Sequence, residues 1–434
     1  MKTRTVAARV IANLLNQRGS LSSLLPDAMA DVPARDRALL QELCYGTCRW
    51  QPKLQCYLDV LVDKPLRNKD RDVHALLLIG LYQLSCLRVP DHAAINSTVE
   101  ATQGLKKPWA KQLVNGVLRR FQREEQALAA SLGHLPAFSN AHPAWLVSTF
   151  QNAWPEQLGG ILSANNSHPP LTLRVNRQQM NRDDYLSLLN AQDLPAEPTP
   201  YSPDGVTLSK PVDVEQLPLF AEGAVSVQDE AAQLSAGLLE LRPGFHVLDA
   251  CCAPGGKTAH MLETQTQLGR MVGLDISEPR IERTRHNLQR LNLAAELVVG
   301  DAIQASSRWP PESFDRILVD APCSATGIIR RHPDIKLLRT PEEVARLVAS
   351  QHAILQAMWP LLKPGGILLY ATCSILPQEN TEVVSQFLRE YSDARHQPLA
   401  ASWGVAQPRG RQLLPQPNGH DGFYFARLEK HQRT

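Results

Sequence analysis

Two cysteines stand fifty residues apart in matching surroundings. VDAPCS (Val319–Ser324) ends an apolar run with an acid, a proline and Cys323, and LLYATCS ends another with Cys373. A strand-end thiol beside an acid suits an activated thiolate. Carbon 5 of a pyrimidine is a poor nucleophile, but a thiolate added at carbon 6 makes it enamine-like and able to accept a methyl group. The adduct must then lose its carbon 5 proton and expel the thiolate, which calls for a base. Two groups are needed and two thiols are present, though spacing alone does not rank them. Cys44, Cys48, Cys56 and Cys86 lie in helical patterns and read as small buried hydrophobes. Cys251 and Cys252 read as small residues beside a ligand.

That ligand is suggested by LDACCAPGGKTAHML, an apolar run closing into a Gly-Gly loop and then a helical pattern. Such a turn sets backbone N–H groups and a helix N-terminus beside a bound molecule. Gly255-Gly256-Lys257-Thr258 resembles the end of a phosphate-binding P-loop, with Asp320 as its magnesium acid. The P-loop pattern, however, needs its first glycine where Cys251 stands, and Pro254 removes a donor from the cradle. RMVGLDIS puts Asp275 about twenty residues past the loop, where an acid at a strand tip can accept from ribose hydroxyls. The next run ends at Gly300-Asp301-Ala302, where a carboxylate can accept from an adenine amino group; a lone strand-end Asp is otherwise a helix cap. Two such acids after a glycine loop point to a bound adenosine. The loop is not G-x-G-x-x-G, so S-adenosylmethionine fits better than a nicotinamide dinucleotide.

Elements of three kinds must carry these residues. From Arg4 to about Arg123, runs such as VAARVIANLL, DVHALLLIGLYQLSCL and AKQLVNGVLRRF repeat apolar residues every three or four positions, which predicts an all-α domain. A stretch rich in Pro, Asn and Gln follows, with strand-like LTLRVN and GVTLSK around helical DDYLSLLNA, and predicts a small α/β module or structured linker. From about Leu217, β-rich runs alternate with helical ones, which predicts a mostly parallel sheet covered on both faces, with ligands at the carboxyl ends of its strands. The late run GFYFARLEK reads as an antiparallel edge strand closing that sheet. The resulting domain boundaries are 1–138, 139–216 and 217–434.

Composition narrows the partners. Residues 1–140 hold 19 Lys and Arg against 12 Asp and Glu, a balance of +7, whereas the whole chain of 434 residues carries only +2. The basic part therefore suits a nucleic acid, or else a solvated helical face. Eight cysteines without a C-x-x-C pair argue against structural zinc, and no metal is expected. MKTRTVAARV lacks the apolar core of a signal peptide and no apolar run is long enough to span a bilayer, so a cytoplasmic protein is expected.

DACCAPGGKT, LDIS, GDA, DAPCSATGIIRRHPDIK and YATCSILPQEN, in this order, together resemble the RNA cytosine-5 methyltransferase family over about residues 217–430. The basic helical part resembles the antitermination factor NusB, and the combination resembles those family members that act on 16S ribosomal RNA. The resemblance implies a class I S-adenosylmethionine-dependent methyltransferase domain of Rossmann-like fold, acting on RNA with no membrane or protein partner. It makes Cys373 the nucleophile and Cys323 the releasing group, with Asp320 holding the cytosine's amino group and ring nitrogen and Lys257 assisting. It assigns the cofactor to Cys252, Ala253, Pro254, Gly255, Gly256, Lys257 and Thr258, with Asp275, Asp301 and Asp320. A cytosine inside a duplex is out of a thiol's reach, so the target must be unpaired or extruded. Arg330, Arg331, His332 and Lys336 follow DAPC and would grip nearby phosphates, or else begin a charged helix. The alternative from another class is a binding-only ribosome-assembly or antitermination factor that keeps the methyltransferase fold as a scaffold.

Overall fold

The computed structural model describes residues 2–432, which divide into two compact units. One runs to Ser167 and takes in Ile329–Thr340; the other holds His168–Ile328 and the chain from Pro341 onward. Among the described residues no helix is long and apolar enough to cross a membrane.

The first unit is helical. Its longer helices are Lys2–Leu15, Leu21–Ala30, Arg37–Leu61, Arg71–Cys86, Asp91–Gly104 and Ala110–Leu132. Arg71–Cys86 is apolar on nearly every face, and it is the helix the others enclose: Val73 and Leu76 to Ile79 are all fully buried. Beyond residue 138 the helices continue as Ala144–Ala153 and Leu158–Asn166, because Leu146, Phe150 and Ile161 supply further buried positions. Cys44 and Cys48 sit in the core as small hydrophobes, but Cys56 is only partly buried and Cys86, at its helix end, is exposed.

The segment 329–340 belongs to this helical unit, which corrects the expected role of Arg330 and Lys336. Arg330 is fully buried and Lys336 nearly so. Lys336 Nζ donates to the carbonyls of Arg49 and Ala141 at 2.9 Å each and to Asn166 Oδ1 at 2.5 Å. Arg49 Nη2 in turn donates to the Arg330 carbonyl at 2.8 Å, and Asp334 Oδ2 accepts from the Leu21 N–H at 2.9 Å. Burial, followed by the field of Arg49, holds the Lys336 amine well below its ordinary pKa. Side chains placed like this tie the segment down and are not available to phosphates.

The second unit contains two sheets. β1 (Thr172–Val175), β2 (Ala196–Pro198), β3 (Gly205–Leu208) and β4 (Val225–Val227) form an antiparallel sheet in the order β2-β3-β1-β4. Its core is Leu173, Val175, Val206 and Leu208, packed with Tyr185 and Leu189 of the helix Arg182–Ala191. The larger sheet contains β5 (His246–Ala250), β6 (Arg270–Asp275), β7 (Glu296–Val299), β8 (Phe314–Asp320), β9 (Leu362–Thr372), β10 (Ala394–Gln397), β11 (Val405–Ala406), β12 (Arg411–Leu413) and β13 (Phe423–Lys430). Its order is β11-β12-β13-β9-β8-β5-β6-β7, with β10 also pairing β13. β5 to β9 run parallel, as their apolar runs and intervening helices predict. The chain winds outward from β5 to β7 and then returns to β8 on the other side of β5. That reversal opens a crevice at the carboxyl ends of β5 and β8, where ligands bind in such sheets.

β13 is antiparallel to β9 as expected, but it is not an edge strand. β12 pairs with its Phe423–Phe425 end and β10 with its Arg427–Lys430 end, so it is enclosed on both sides and largely buried.

Arg174 of β1 is fully buried and joins the small sheet to the glycine loop. Its guanidinium makes two 2.8 Å hydrogen bonds to Glu263, and it also donates to the Gly256 carbonyl at 2.9 Å and to Gln228. Arg174→Met leaves Glu263 buried without its partner and is expected to destabilise this unit by about 3–5 kcal/mol, read as a lower urea midpoint.

Candidate active site

The residues singled out from sequence gather at the carboxyl edge of β5 to β9. After β5 the chain turns sharply, with φ of +64° at Cys251 and +91° at Gly255. A Cβ on Gly255 would lie 2.6 Å from Thr284 Cγ2, so only glycine lets the helix Gly256–Thr264 start this close to its neighbour. The Ala253 N–H donates to Asp275 Oδ2 at 3.2 Å and the Ser277 N–H to Asp275 Oδ1 at 3.0 Å. Arg280 Nη2 donates to the Ala253 carbonyl at 2.6 Å and lies 3.4 Å from Asp275 Oδ2. Asp275 thus anchors the loop from the tip of β6. Asp301, past β7, caps the following turn by accepting from the Ile303 N–H at 2.9 Å.

The geometry does not suit a P-loop. Thr258 is fully buried and its hydroxyl donates to Asp249 Oδ2 at 2.6 Å, while Lys257 Nζ donates to Asp320 Oδ2 at 2.6 Å. The groups that would serve magnesium and phosphate are engaged with each other. Asp249, not expected from sequence, lies under the loop with its carboxyl pushed up to about 7, mainly by burial.

A cavity of about 280 Å³ opens over this edge. Asp275, Asp301 and Asp320 line it with Cys323 and Cys373, and Ile276, 66% exposed, offers it an apolar side chain. Of the expected loop contacts only Ala253 reaches the lining, joined by Cys251. Cys252 turns its sulfur toward Gly273 instead, and Pro254, Gly255, Gly256, Lys257 and Thr258 do not line the cavity.

The two cysteines meet because β8 and β9 are adjacent and parallel, with Asp320 opposite Ala371. Cys323 follows β8 by three residues and Cys373 follows β9 directly, and their sulfurs are 3.4 Å apart. The Gly327 N–H donates to the Cys373 carbonyl and the Gly422 N–H to the Gly327 carbonyl, both at 2.9 Å. A Cβ on Gly327 would lie 2.3 Å from the Gly422 oxygen, so the loops could not close with any other residue there.

The Cys323 thiol is held well above its ordinary pKa, first by its hydrogen bond to Cys373 and then by burial. Burial draws the Lys257 ammonium down, but Asp320, with a further contribution from Cys373, outweighs it and leaves the lysine above its usual value. The ammonium also lies 4.8 Å from the centre of the Phe423 ring. Phe423, like Asp249, has no signal in the sequence beyond the motif or strand that carries it.

Comparison with known proteins follows the same domain order. Residues 1–123 match the NusB family, 142–215 the RsmF/B-like ferredoxin-like domain, and 236–429 the 16S rRNA methyltransferase RsmB/F model. Ribosomal RNA small subunit methyltransferase B of Pseudomonas putida is 53% identical over 99% of this chain and 99% of its own. The protein of that name in Vibrio cholerae is 48% identical over 99% of this chain and 98% of its own. Among solved structures, PH0851 shares the fold, with a TM-score of 0.84 at 22% identity over 99% of both chains. A methyltransferase homolog protein from Pyrococcus horikoshii has a TM-score of 0.60 at 27% identity, covering 68% of this chain and 97% of that one. The architecture is therefore a NusB domain, a ferredoxin-like domain and a Rossmann-like methyltransferase domain, and with close to half of all positions identical along the full length, the chain belongs to the 16S rRNA methyltransferase RsmB/F family.

Proposed function

We propose that this methyltransferase acts on carbon 5 of a cytosine in 16S ribosomal RNA, with S-adenosylmethionine as donor and a covalent bond from Cys373 to carbon 6 as the intermediate. The observation that carries the proposal is the pair of thiols, 3.4 Å apart, at one end of a cavity that also contains Asp275 and Asp301. When bound, S-adenosylmethionine supplies an electrophilic methyl group. The cavity fits it: Asp275 would accept from the ribose hydroxyls, Asp301 from the adenine amino group, and Ile276 would offer the base an apolar surface. Loss of Asp275 removes charged hydrogen bonds that each contribute about 1.5–3 kcal/mol. Asp275→Ala is thus expected to raise KM for S-adenosylmethionine by about 10–100-fold, with a smaller change in kcat.

The cytosine side uses the thiols, Asp320 and Lys257. The family resemblance makes Cys373 the sulfur that attacks carbon 6, with Cys323 3.4 Å from it. Lys257, held by Asp320, supplies the positive charge on this side of the site. Asp320 would accept from the amino group, and from the ring nitrogen once that nitrogen takes a proton from solvent as carbon 6 is attacked, while the Lys257 ammonium bonded to Asp320 balances the carboxylate's charge. After methyl transfer Cys323, its own proton passed to water, takes the carbon 5 proton as a thiolate; the C–H electron pair re-forms the carbon 5–carbon 6 double bond as the carbon 6–sulfur bond breaks, and Cys373 leaves as thiolate. Residues 1–138, with their excess of positive charge, hold the surrounding RNA in the cytoplasm.

The test is transfer of labelled methyl to protein-free small-subunit RNA, followed by digestion to nucleosides. Label in 5-methylcytidine supports the proposal, whereas label in another nucleoside refutes the carbon 5 chemistry. No label from a protein that binds both ligands points to the scaffold alternative.

A further inference from the structure

We propose that Glu379 is the positioning residue that sets the two thiols in register; this rests on the two-thiol chemistry proposed above. Glu379 is fully buried directly behind the cysteine loops. Its Oε1 accepts from the Ser324 N–H at 2.8 Å and from Gln351 Nε2 at 3.0 Å. Its Oε2 accepts from the hydroxyls of Ser324 and Ser374 at 2.5 Å each. Ser324 follows Cys323 and Ser374 follows Cys373, so one carboxylate grips the residue next to each thiol. Gln351 also donates to the Pro322 carbonyl at 3.0 Å, which holds the Cys323 loop from its other side.

The choice of residue bears on function. These four donors are neutral, and burying a carboxylate without a cation is costly. An apolar or amide side chain would fill the space with less loss of hydration. What the carboxylate adds is four acceptor sites on two oxygens, so donors from both loops converge on one point. A displacement of about 1 Å at reacting groups is enough to slow a reaction about 10²-fold. Glu379 touches neither RNA nor methyl donor and acts through Ser324 and Ser374.

The test is covalent capture by RNA carrying 5-fluorocytidine, whose fluorine blocks the final proton loss. Glu379→Gln keeps size and fold but replaces two acceptor positions with donors. It is expected to slow capture about 10²-fold with the Kd for S-adenosylmethionine unchanged. Should that variant fold poorly, Ser374→Ala removes one of the four donors to Glu379, along with the acceptor of the Leu376 N–H, and is expected to slow capture about tenfold, again at unchanged donor affinity. Capture at the wild-type rate, or a parallel loss of S-adenosylmethionine binding, overturns the proposal for Glu379. Failure of the wild-type protein to form any adduct instead overturns the two-thiol chemistry on which it rests.

Discussion

Cys373→Ala is expected to abolish methyl transfer, with a loss of about 10⁴-fold or more, the scale on which removal of a catalytic nucleophile is felt. Cys373 is the first residue past β9 and is held by its carbonyl, which accepts from Gly327, so its sulfur has a fixed place at the cavity. Without it nothing adds to carbon 6, and carbon 5 stays too weak a nucleophile to take a methyl group. Asp275 and Asp301 are untouched by the change, so S-adenosylmethionine affinity should persist and report that the site is still folded. Full activity in this variant would remove Cys373 from the chemistry.

Cys323→Ala is expected to behave in the opposite way at the step before product leaves. Attack and methylation should proceed, but the sulfur 3.4 Å from Cys373, proposed to serve the release step, is gone. Turnover should fall by about 10²–10⁴-fold, the range for loss of a positioned acid or base. Protein should accumulate on RNA as a complex that survives denaturation, visible as a shifted band in a denaturing gel. Absence of that band would assign release to another group.

Much of the site was legible because parallel strands write it plainly. Apolar runs ending in Asp275, Asp301 and Asp320 place all three acids at one sheet edge, and the structure has them lining one cavity. Two further apolar runs ending near Cys323 and Cys373 bring the thiols together once β8 and β9 are neighbours. What sequence hid depended on distant partners. Glu379 looks like a surface charge until Ser324, 55 residues away, is seen to donate to it. Arg330 and Lys336 look like cations for phosphate, but charge does not reveal burial, and the Lys336 partners Ala141 and Asn166 are 195 and 170 residues distant. β13 reads as an edge strand from sequence because the strands enclosing it, ARHQ and RQL, are too short and polar to announce themselves.

The division of labour between the thiols is tested most directly by mapping the protein–RNA bond. Wild-type protein captured on 5-fluorocytidine RNA would be digested with trypsin and nuclease, and the nucleotide-bearing peptide sequenced. The bond is predicted on Cys373, in the peptide ending at Arg389. A bond on Cys323, in the peptide ending at Arg330, would exchange the two roles and contradict the account.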